Sequence, residues 1–174
     1  MSSRVESADG KPPTARLRIR LRPWQPEEAV WYVAALDEEI LRWTRESQTM
    51  GPAECAAALA AGASQRALAV VDAENGALLG NLGIAVAGGD AELSYWIAAA
   101  SRGKGAAQAA LLAGTEVALQ DSRVTSCFLL IHPENAASLR VAGRAGYTFV
   151  GTQPGPPDCS GEDGLVAVYR FPSP

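Results

Sequence analysis

The feature that most constrains the fold is a glycine-rich turn that follows an apolar segment and opens a long helix. The apolar segment is residues 93–98, the turn is Arg102-Gly103-Lys104-Gly105, and alanine and leucine dominate residues 106–119. Glycines in such a turn let backbone amides approach a ligand where a β-carbon would obstruct. The helix start adds free N–H groups and the positive end of its dipole, beside the charges of Arg102 and Lys104. The stretch therefore predicts an anion site, and phosphate is the usual anion.

Two common phosphate-binding loops do not fit these residues. The P-loop requires Ser or Thr directly after its lysine to hold magnesium, but Gly105 follows Lys104. The dinucleotide-binding fingerprint requires a third glycine three positions after Gly105, where Gln108 stands. Residues 102–107 alone leave open the alternative of a glycine-hinged helix start that binds no ligand.

Three segments together resemble the GNAT superfamily of N-acetyltransferases. Arg102-x-x-Gly105-x-Ala107 is similar to the Q/R-x-x-G-x-G/A loop that holds the coenzyme pyrophosphate in that superfamily. Residues 92–97, with the letters ELSYWI, look like the E-x-x-Y-W-I/L strand of the Rim-type branch, which acetylates ribosomal-protein N-termini and related amines. Residues 135–147 resemble the N-x-x-S…G-F/Y segment that closes the coenzyme site. The three segments occur in the family's order over residues 91–151.

The resemblance implies an α/β (mixed α+β) fold of the GNAT type. Its central mixed sheet, mostly antiparallel and of about seven strands, is flanked by helices on both faces, in the order β-α-α-β-β-β-α-β-α-β-β. Alternation and turn signals predict matching strands at 17–22, 66–72, 78–87, 91–98, 124–131, 147–152 and 165–171. Helices are predicted from Pro26, with an apolar face that reaches Leu41, and at 53–61, 106–119 and 135–145. Asn75-Gly76 predicts a hairpin.

Composition limits the domain count and the function classes. The 174 residues, 48% apolar and 20% charged, suit one globular domain at 16–174 after a disordered polar tail at 1–15. The net charge of −4 argues against a nucleic-acid surface. Three cysteines without paired spacing and one histidine argue against a zinc site, so no metal is expected. No apolar run could span a bilayer or form a signal peptide, so we expect a cytoplasmic protein without a membrane partner.

Acetyl-CoA is the co-substrate that the resemblance implies. Residues 102–107 would cradle its pyrophosphate through backbone amides, and backbone groups of residues 96–98 would pair with its pantetheine arm as an added strand would. The implied coenzyme-binding residues are Tyr95, Trp96, Ile97, Ala98, Arg102, Gly103, Lys104, Gly105, Ala106, Ala107, Asn135 and Ser138. The side chains of Trp96 and Ile97 are expected in the core, and Asn135 is also expected to cap a helix. Arg140 and Arg144 either reach the 3′-phosphate or form a solvated helix face.

Two residues are the candidates for proton transfer. Glu92 is the candidate general base, directly or through water, and its alternative is a solvent-facing edge charge. Ser138 resembles the thiol-side hydroxyl of the Rim branch, and its alternative is an ordinary first-turn serine. Many family members carry a tyrosine as the acid at the position of Ala142, so Ser138, Tyr147 or a water must replace it, or turnover is slow. A catalytic role for His132 is the less favoured hypothesis.

The acceptor is expected to be a primary amine, either a protein N-terminal α-amine or a small molecule. In the resembled family it enters between the first two helices and the last inter-strand loop, here residues 42–46 and 153–164. Trp31 and Trp43 either line this acceptor site or belong to the core, and the acidic side chains at 158, 162 and 163 either attract a cation or only solvate the loop. A homodimer is compatible with the family. The alternatives are a non-catalytic acyl-CoA-binding domain of the same fold and, more remotely, a nucleotide-binding enzyme of another fold.

Overall fold

A computed structural model describes residues 17–47, 49–61, 65–156 and 160–172. Within them, seven strands form one sheet: β1 (Ile19–Pro23), β2 (Gln65–Asp72), β3 (Leu78–Ala87), β4 (Asp90–Ile97), β5 (Ser126–Ile131), β6 (Thr148–Pro154) and β7 (Leu165–Arg170). The α-helices of the described chain are α1 (Ala29–Ala35), α2 (Glu38–Trp43), α3 (Pro52–Ala61), α4 (Ala106–Leu119) and α5 (Ala136–Arg144). The predicted fold class is confirmed, and the strand boundaries differ from the predicted ones by two residues or fewer.

The prediction of one continuous helix from Pro26 to Leu41 is wrong. The chain forms a short 3-10 turn at Pro26–Glu28, then α1, and then a separate α2. Leu36 between them has an extended backbone, with φ −70° and ψ 107°. Asp37 starts α2 as its N-cap, because its carboxylate accepts a hydrogen bond from the Ile40 N–H at 2.9 Å. The break separates α2 from α1, so the two short helices can take different positions against the sheet.

The sheet is antiparallel at every junction except one. The strand order is β1-β2-β3-β4-β5-β7-β6, and only the pair β4–β5 is parallel. That pairing covers three rungs, from Asp90↔Ser126 to Glu92↔Phe128. β4 continues to Ile97 and β5 to Ile131 without further pairing to each other. The two strands therefore diverge in the middle of the sheet, which opens a gap at their carboxyl ends.

Helices cover both faces of the sheet, and the side chains of β4 alternate between them. Ala91, Leu93 and Ile97 point into the larger core beneath α4 and α5, while Trp96 points into a second core with α1 and α3. The alternation follows from the two-residue period of a strand. The prediction that Trp96 and Ile97 have buried side chains is confirmed, at 5% and 7% exposure.

Other sequence-based expectations can be placed on this fold. Asn75-Gly76 lies in the antiparallel β2–β3 connection, with Gly76 at φ 76°, as predicted. Cys127 is buried, and burial raises the pKa of its thiol to about 11. The predicted tail at 1–15, Asp158 and Cys159 lie outside the described residues. No helix in the described part of the chain is long and apolar enough to cross a membrane.

Candidate active site

The gap between β4 and β5 holds a cavity of about 200 Å³. Its walls come from both diverging strands, at residues 93–97 and 129–132, and from α5 on one face of the sheet and α2 on the other. Apolar atoms dominate these walls, and a few polar groups converge on the space, which is the usual character of a small-molecule site. The cavity reaches the glycine-rich turn through Arg102 and Ala107.

The glycine-rich turn has the geometry of an anion cradle. Gly103 and Gly105 have φ values of 74° and 84°, which side chains with a β-carbon rarely adopt. Gly105 is the N-cap of α4, and the first intrahelical bond runs from the Ala109 N–H to its carbonyl. The amides of residues 106–108, ahead of Ala109, therefore have no partner within the helix at its start, where the dipole favours an anion. No described atom lies within 4 Å of a β-carbon built on either glycine, so the backbone conformation of the protein, and not crowding within it, requires glycine here.

The guanidinium of Arg102 is not the open cation that the sequence predicted beside this cradle. Two of its nitrogens contact the two carboxylate oxygens of Asp37 at 2.9 Å each, and Nε donates to the Ile97 carbonyl at 2.9 Å. Glu39 lies 3.7 Å away. The Arg102 hydrogen bond lowers the pKa of Asp37, so this carboxyl is ionised at neutral pH. Lys104 donates to the Ala100 carbonyl at 2.8 Å on the exposed rim.

The backbone of β4 offers fewer groups to a ligand than predicted. The Ala98 N–H donates to the Leu79 carbonyl at 2.8 Å, so this residue faces β3. Because successive residues of a strand direct their backbone groups to opposite edges, Trp96 also faces β3, and Tyr95 and Ile97 face the gap. The Ile97 carbonyl already accepts from Arg102. Of the predicted residues 96–98, only Ile97 therefore directs its N–H into the gap. The backbone of Tyr95, two residues earlier, also faces it.

Two hydroxyl groups meet on the α5 wall of the cavity. The Tyr95 phenol and the Ser138 hydroxyl are 2.9 Å apart, and both residues line the space. Burial raises the pKa of Tyr95 to about 12, against the opposite effect of the Ser138 hydrogen bond. The phenol is therefore protonated at neutral pH, and the pair always carries hydrogen-bond donors. The sequence motifs contained both residues, but 43 positions separate them and nothing in the sequence indicated their contact.

The other groups considered as proton donors lie away from the cavity. Ala142 is completely buried in the core, so α5 presents Val141 and Ser138 to the space in its place. Tyr147 is 3% exposed, and its hydroxyl lies 2.7 Å from that of Thr115 inside the core. The Tyr147 hydroxyl, one of the alternatives left open by the sequence, therefore lies in the core and not on the cavity wall.

Asn135 and His132 border the same space. Asn135 is the predicted N-cap of α5, since its side chain accepts from the Ser138 N–H at 3.0 Å, and it also lines the cavity. The His132 Nδ1 accepts from the Glu134 N–H at 3.1 Å. That contact engages the Nδ1 lone pair of His132, which also lines the cavity.

The acceptor-side candidates lie on the α2 face of the sheet. Trp43 lines the cavity and packs on the His132 ring at 4.9 Å between centroids. Trp31 is not part of the wall. It stacks on Trp96, with 6.2 Å between ring centroids and 17° between ring planes, and Trp96 is part of the wall. Glu92 is half-buried and follows the alternation of β4 onto this face, but it lies outside the wall, two residues before Ser94, which is part of it.

The predicted acceptor loop between β6 and β7 approaches this region. A β-carbon on Gly161 would lie 3.0 Å from Pro133, directly after His132, so the loop runs beside the end of β5. Glu162 and Asp163 are exposed there.

On α5, Arg140 and Arg144 are both exposed, away from the cavity wall.

Sequence reasoning missed the contacts of three acidic residues of this region. Asp37 holds Arg102, Glu39 lines the cavity, and Glu46 accepts from the Trp96 indole N–H at 2.9 Å and from the Tyr32 hydroxyl at 2.6 Å. The run Asp37-Glu38-Glu39 carried a usable helix-start signal, an N-cap residue followed by acids. No local signal announced Glu46, whose partners are 14 and 50 positions away.

Comparisons with known proteins agree with this geometry. Residues 18–148 match the model of the acetyltransferase (GNAT) domain family. Among solved structures, RimJ of Mycobacterium smegmatis, in complex with CoA-disulfide, superposes with a TM-score of 0.73 at 20% identity, over 88% of this chain and 81% of that one. Aminoglycoside acetyltransferase AAC(6′)-Ib, with ribostamycin and coenzyme A, gives 0.73 at 21% identity, over 88% and 92%. The ribosomal α-N-protein acetyltransferase RimL, in complex with coenzyme A, gives 0.74 at 16% identity, over 91% and 95%.

No curated protein sequence matches the chain significantly. Rim-type enzymes are among the structural neighbours, as the branch-level prediction expected. The family match covers well over half of the chain and includes the cavity walls up to the end of α5. The chain therefore belongs to the GNAT acetyltransferase family, acyltransferases that use acetyl-CoA as co-substrate.

Proposed function

We propose that this protein transfers the acetyl group of acetyl-CoA directly to a primary amine, with both substrates bound at once. The observation that carries the proposal is the cavity between the diverging β4 and β5, open toward the glycine-rich turn at one end and lined by Tyr95 and Ser138. Its volume suits the acetylated end of the coenzyme, while the diphosphate would lie outside on the amides of residues 103–107. Coenzyme A is polyanionic and the chain carries a net charge of −4, so local dipoles must supply the attraction.

The gap also explains how the coenzyme would be aligned. A pantetheine arm beside Tyr95 and Ile97 would form hydrogen bonds with the backbone edge that β5 leaves unpaired beyond Glu92. This arrangement fixes the thioester against one wall of the cavity. Holding two reactants in a reactive geometry can contribute roughly 7–11 kcal/mol to lowering the barrier. Because thioesters are already reactive, alignment would supply most of the rate enhancement.

The proton transfers would use groups on opposite sides of the sheet. The acceptor amine attacks the thioester carbonyl and gives up a proton to Glu92, through a water, because Glu92 lies on the α2 face but outside the cavity wall. The tetrahedral intermediate then collapses, the carbon–sulfur bond breaks and its electron pair leaves on sulfur. The Ser138 hydroxyl donates a hydrogen bond that stabilises this thiolate, while the Tyr95 hydroxyl donates to the Ser138 oxygen. A water supplies the proton that the thiolate takes up as coenzyme A leaves. Ala142 supplies no acid, so this hydroxyl pair stands in its place.

The acceptor is a protein N-terminal α-amine or a small-molecule amine. It would enter from the α2 face, past Trp43 and beside the Gly161 end of the β6–β7 loop. Trp31 would support this wall through its stacking on Trp96. The exposed Glu162 and Asp163 on the same loop favour an acceptor that carries positive charge before it reacts. RimL, AAC(6′)-Ib and a SpeG spermidine N-acetyltransferase chimera share the fold, so the test must cover their three acceptor classes.

The experiment is a thiol-release assay with acetyl-CoA and three kinds of amine: peptides with a free N-terminus, an aminoglycoside and spermidine. We expect release of free coenzyme A with at least one class, and mass spectrometry should show the acetylated amine. The matched control is each peptide with its N-terminus already acetylated, which should give no release above background. Tight coenzyme binding without turnover on any amine would contradict the proposal.

That last outcome would favour a second candidate function, a non-catalytic acyl-CoA-binding domain. The observation on its side is Ala142, which is completely buried and stands where many GNAT enzymes carry the tyrosine acid. The two candidates predict equal coenzyme affinity and differ only in turnover.

A further inference from the structure

The contacts of Arg102 join the glycine-rich turn and the end of β4 to a helix that lies far earlier in the sequence. Its backbone begins the glycine-rich turn, its Nε is bonded to the end of β4 at Ile97, and its terminal nitrogens form a two-point pair with Asp37, 65 positions earlier. Asp37 is the N-cap of α2 through its bond from the Ile40 N–H. A single side chain therefore connects the expected coenzyme loop to the helix that carries Glu39, Ile40 and Trp43 into the cavity.

The charges around this connection determine what Arg102 can do. Asp37 and Glu39 place two carboxylates at 2.9 and 3.7 Å from the guanidinium, beside a site expected to receive a diphosphate. If Arg102 turned toward the phosphates, those carboxylates would lose their counter-charge next to an anion. The two-point geometry of an arginine–carboxylate pair is also the strong form of this contact. The structure therefore favours a guanidinium that stays with α2 when the coenzyme arrives.

We propose that Arg102 is a positioning residue that couples the coenzyme loop to the acceptor-side helix α2. When the diphosphate orders the backbone of residues 102–105, it also fixes the Cα and Cβ atoms of Arg102. Because the Arg102 guanidinium is paired with Asp37, the start of α2 is then held in one position as well. Coenzyme binding would thereby assemble the α2 wall against which the acceptor must rest. This inference rests on the proposed function for the meaning of that wall, but the coupling itself requires only that coenzyme A binds.

Asp37→Asn is the variant that isolates the coupling. Asparagine caps helices as well as aspartate, so α2 keeps its start, while the ion pair with Arg102 is lost. Arg102→Gln removes the pair from the other side. The matched control is Asp121→Asn, since Asp121 forms the same two-point pair with Arg123 but lies beyond the C-terminal end of α4, about 20 Å along that helix from the turn.

The measurement is amide hydrogen exchange with and without coenzyme A as the probe, read separately for residues 103–109 and for residues 40–43. In the unmodified protein we expect coenzyme A to slow exchange in both segments, by about tenfold in α2. In Asp37→Asn and Arg102→Gln the protection of 103–109 should persist while that of 40–43 is lost. Asp121→Asn should behave as the unmodified protein does. A variant that only lost stability would exchange faster everywhere and would not separate the two segments.

Calorimetric titration with coenzyme A completes the test. We expect the dissociation constant of Asp37→Asn to stay within about threefold of the unmodified value, because the guanidinium contributes no phosphate contact. Tighter binding by Asp37→Asn, as a freed phosphate-binding arginine would give, would overturn the proposal. Protection of α2 that persists in both variants would also overturn it. Neither measurement involves acetyl transfer. The coupling between the turn and α2 can therefore be tested even if the protein acetylates none of the amines.

Discussion

Replacing Gly105 by alanine should weaken coenzyme binding through the backbone alone. Gly105 has φ 84°, and no described atom lies within 4 Å of the β-carbon that the substitution adds. A left-handed conformation costs a residue with a β-carbon roughly 1–2 kcal/mol. The free loop would relax to escape this strain, and the amides of the turn would then no longer converge on one point.

The size of the effect follows from the same strain. To bind the diphosphate, the relaxed loop must return to the conformation of the structure, so binding would bear the cost of about 1–2 kcal/mol, which is about 5–30-fold in the dissociation constant. A loop that does not relax would instead lose that free energy in stability, which lowers Tm by roughly 2–8 °C for a chain of this size. The two readouts together should account for the whole strain energy.

Calorimetric titration with coenzyme A and thermal unfolding measure the two parts. Gly76→Ala is the matched control, because Gly76 has φ 76° and equally open surroundings but lies in the β2–β3 hairpin. It should lose stability by the same 1–2 kcal/mol and keep the coenzyme affinity of the unmodified protein. Equal coenzyme affinities for the two variants, with equal losses of stability, would refute the assignment of the turn to the diphosphate.

Three further predictions address the chemistry and the electrostatics. Tyr95→Phe should raise the pKa of the thiol in bound coenzyme A by about one unit, measured by ultraviolet titration of the thiolate, because the Ser138 hydroxyl loses its partner. Tyr147→Phe loses a similar hydroxyl contact inside the core and should leave that pKa unchanged; an equal shift in both would contradict the role of Tyr95. Glu92→Gln should lower turnover by about 10² or more without changing coenzyme affinity, and full activity would place the base elsewhere. Acidification should lower the thermal stability once the pH falls below about 4, and a Tm that stays constant there would be evidence against the ion pairs. Arginine partners hold the pKa of four carboxyls below its ordinary value in the fold: Glu28, Asp37, Asp90 and Asp121. The stability that these pairs contribute is therefore complete above that pH and disappears as each carboxyl is protonated.

Much of the fold could be predicted because the local signals agree with it. The alternation in β1, the Asn75-Gly76 turn and the helix start at Gly105 are all properties of short segments, and the structure has them where the sequence predicts them. The break before Asp37 was also readable, since an N-cap residue followed by two acids is a helix start. It was missed because the apolar positions of α1 and α2 continue nearly in phase.

The site was predictable only as a set of residues. The three motifs placed Tyr95, Arg102 and Ser138 at one cavity, as the structure does. Their partners are set by tertiary contacts across 43 and 65 positions, and no local pattern contains that information. This is why Arg102 was taken for a phosphate-binding cation although Asp37 already occupies its guanidinium. The divergence of β4 from β5 likewise depends on strand pairing and not on either strand alone.

A crystal structure of the protein grown with coenzyme A tests the central claim most directly. The account predicts diphosphate oxygens about 3 Å from the amide nitrogens of residues 103–107. It also predicts the pantetheine arm in the gap between β4 and β5, with its thiol beside the Ser138 hydroxyl. A diphosphate bound elsewhere, or a gap that stays closed by side chains while the coenzyme is bound, would contradict it.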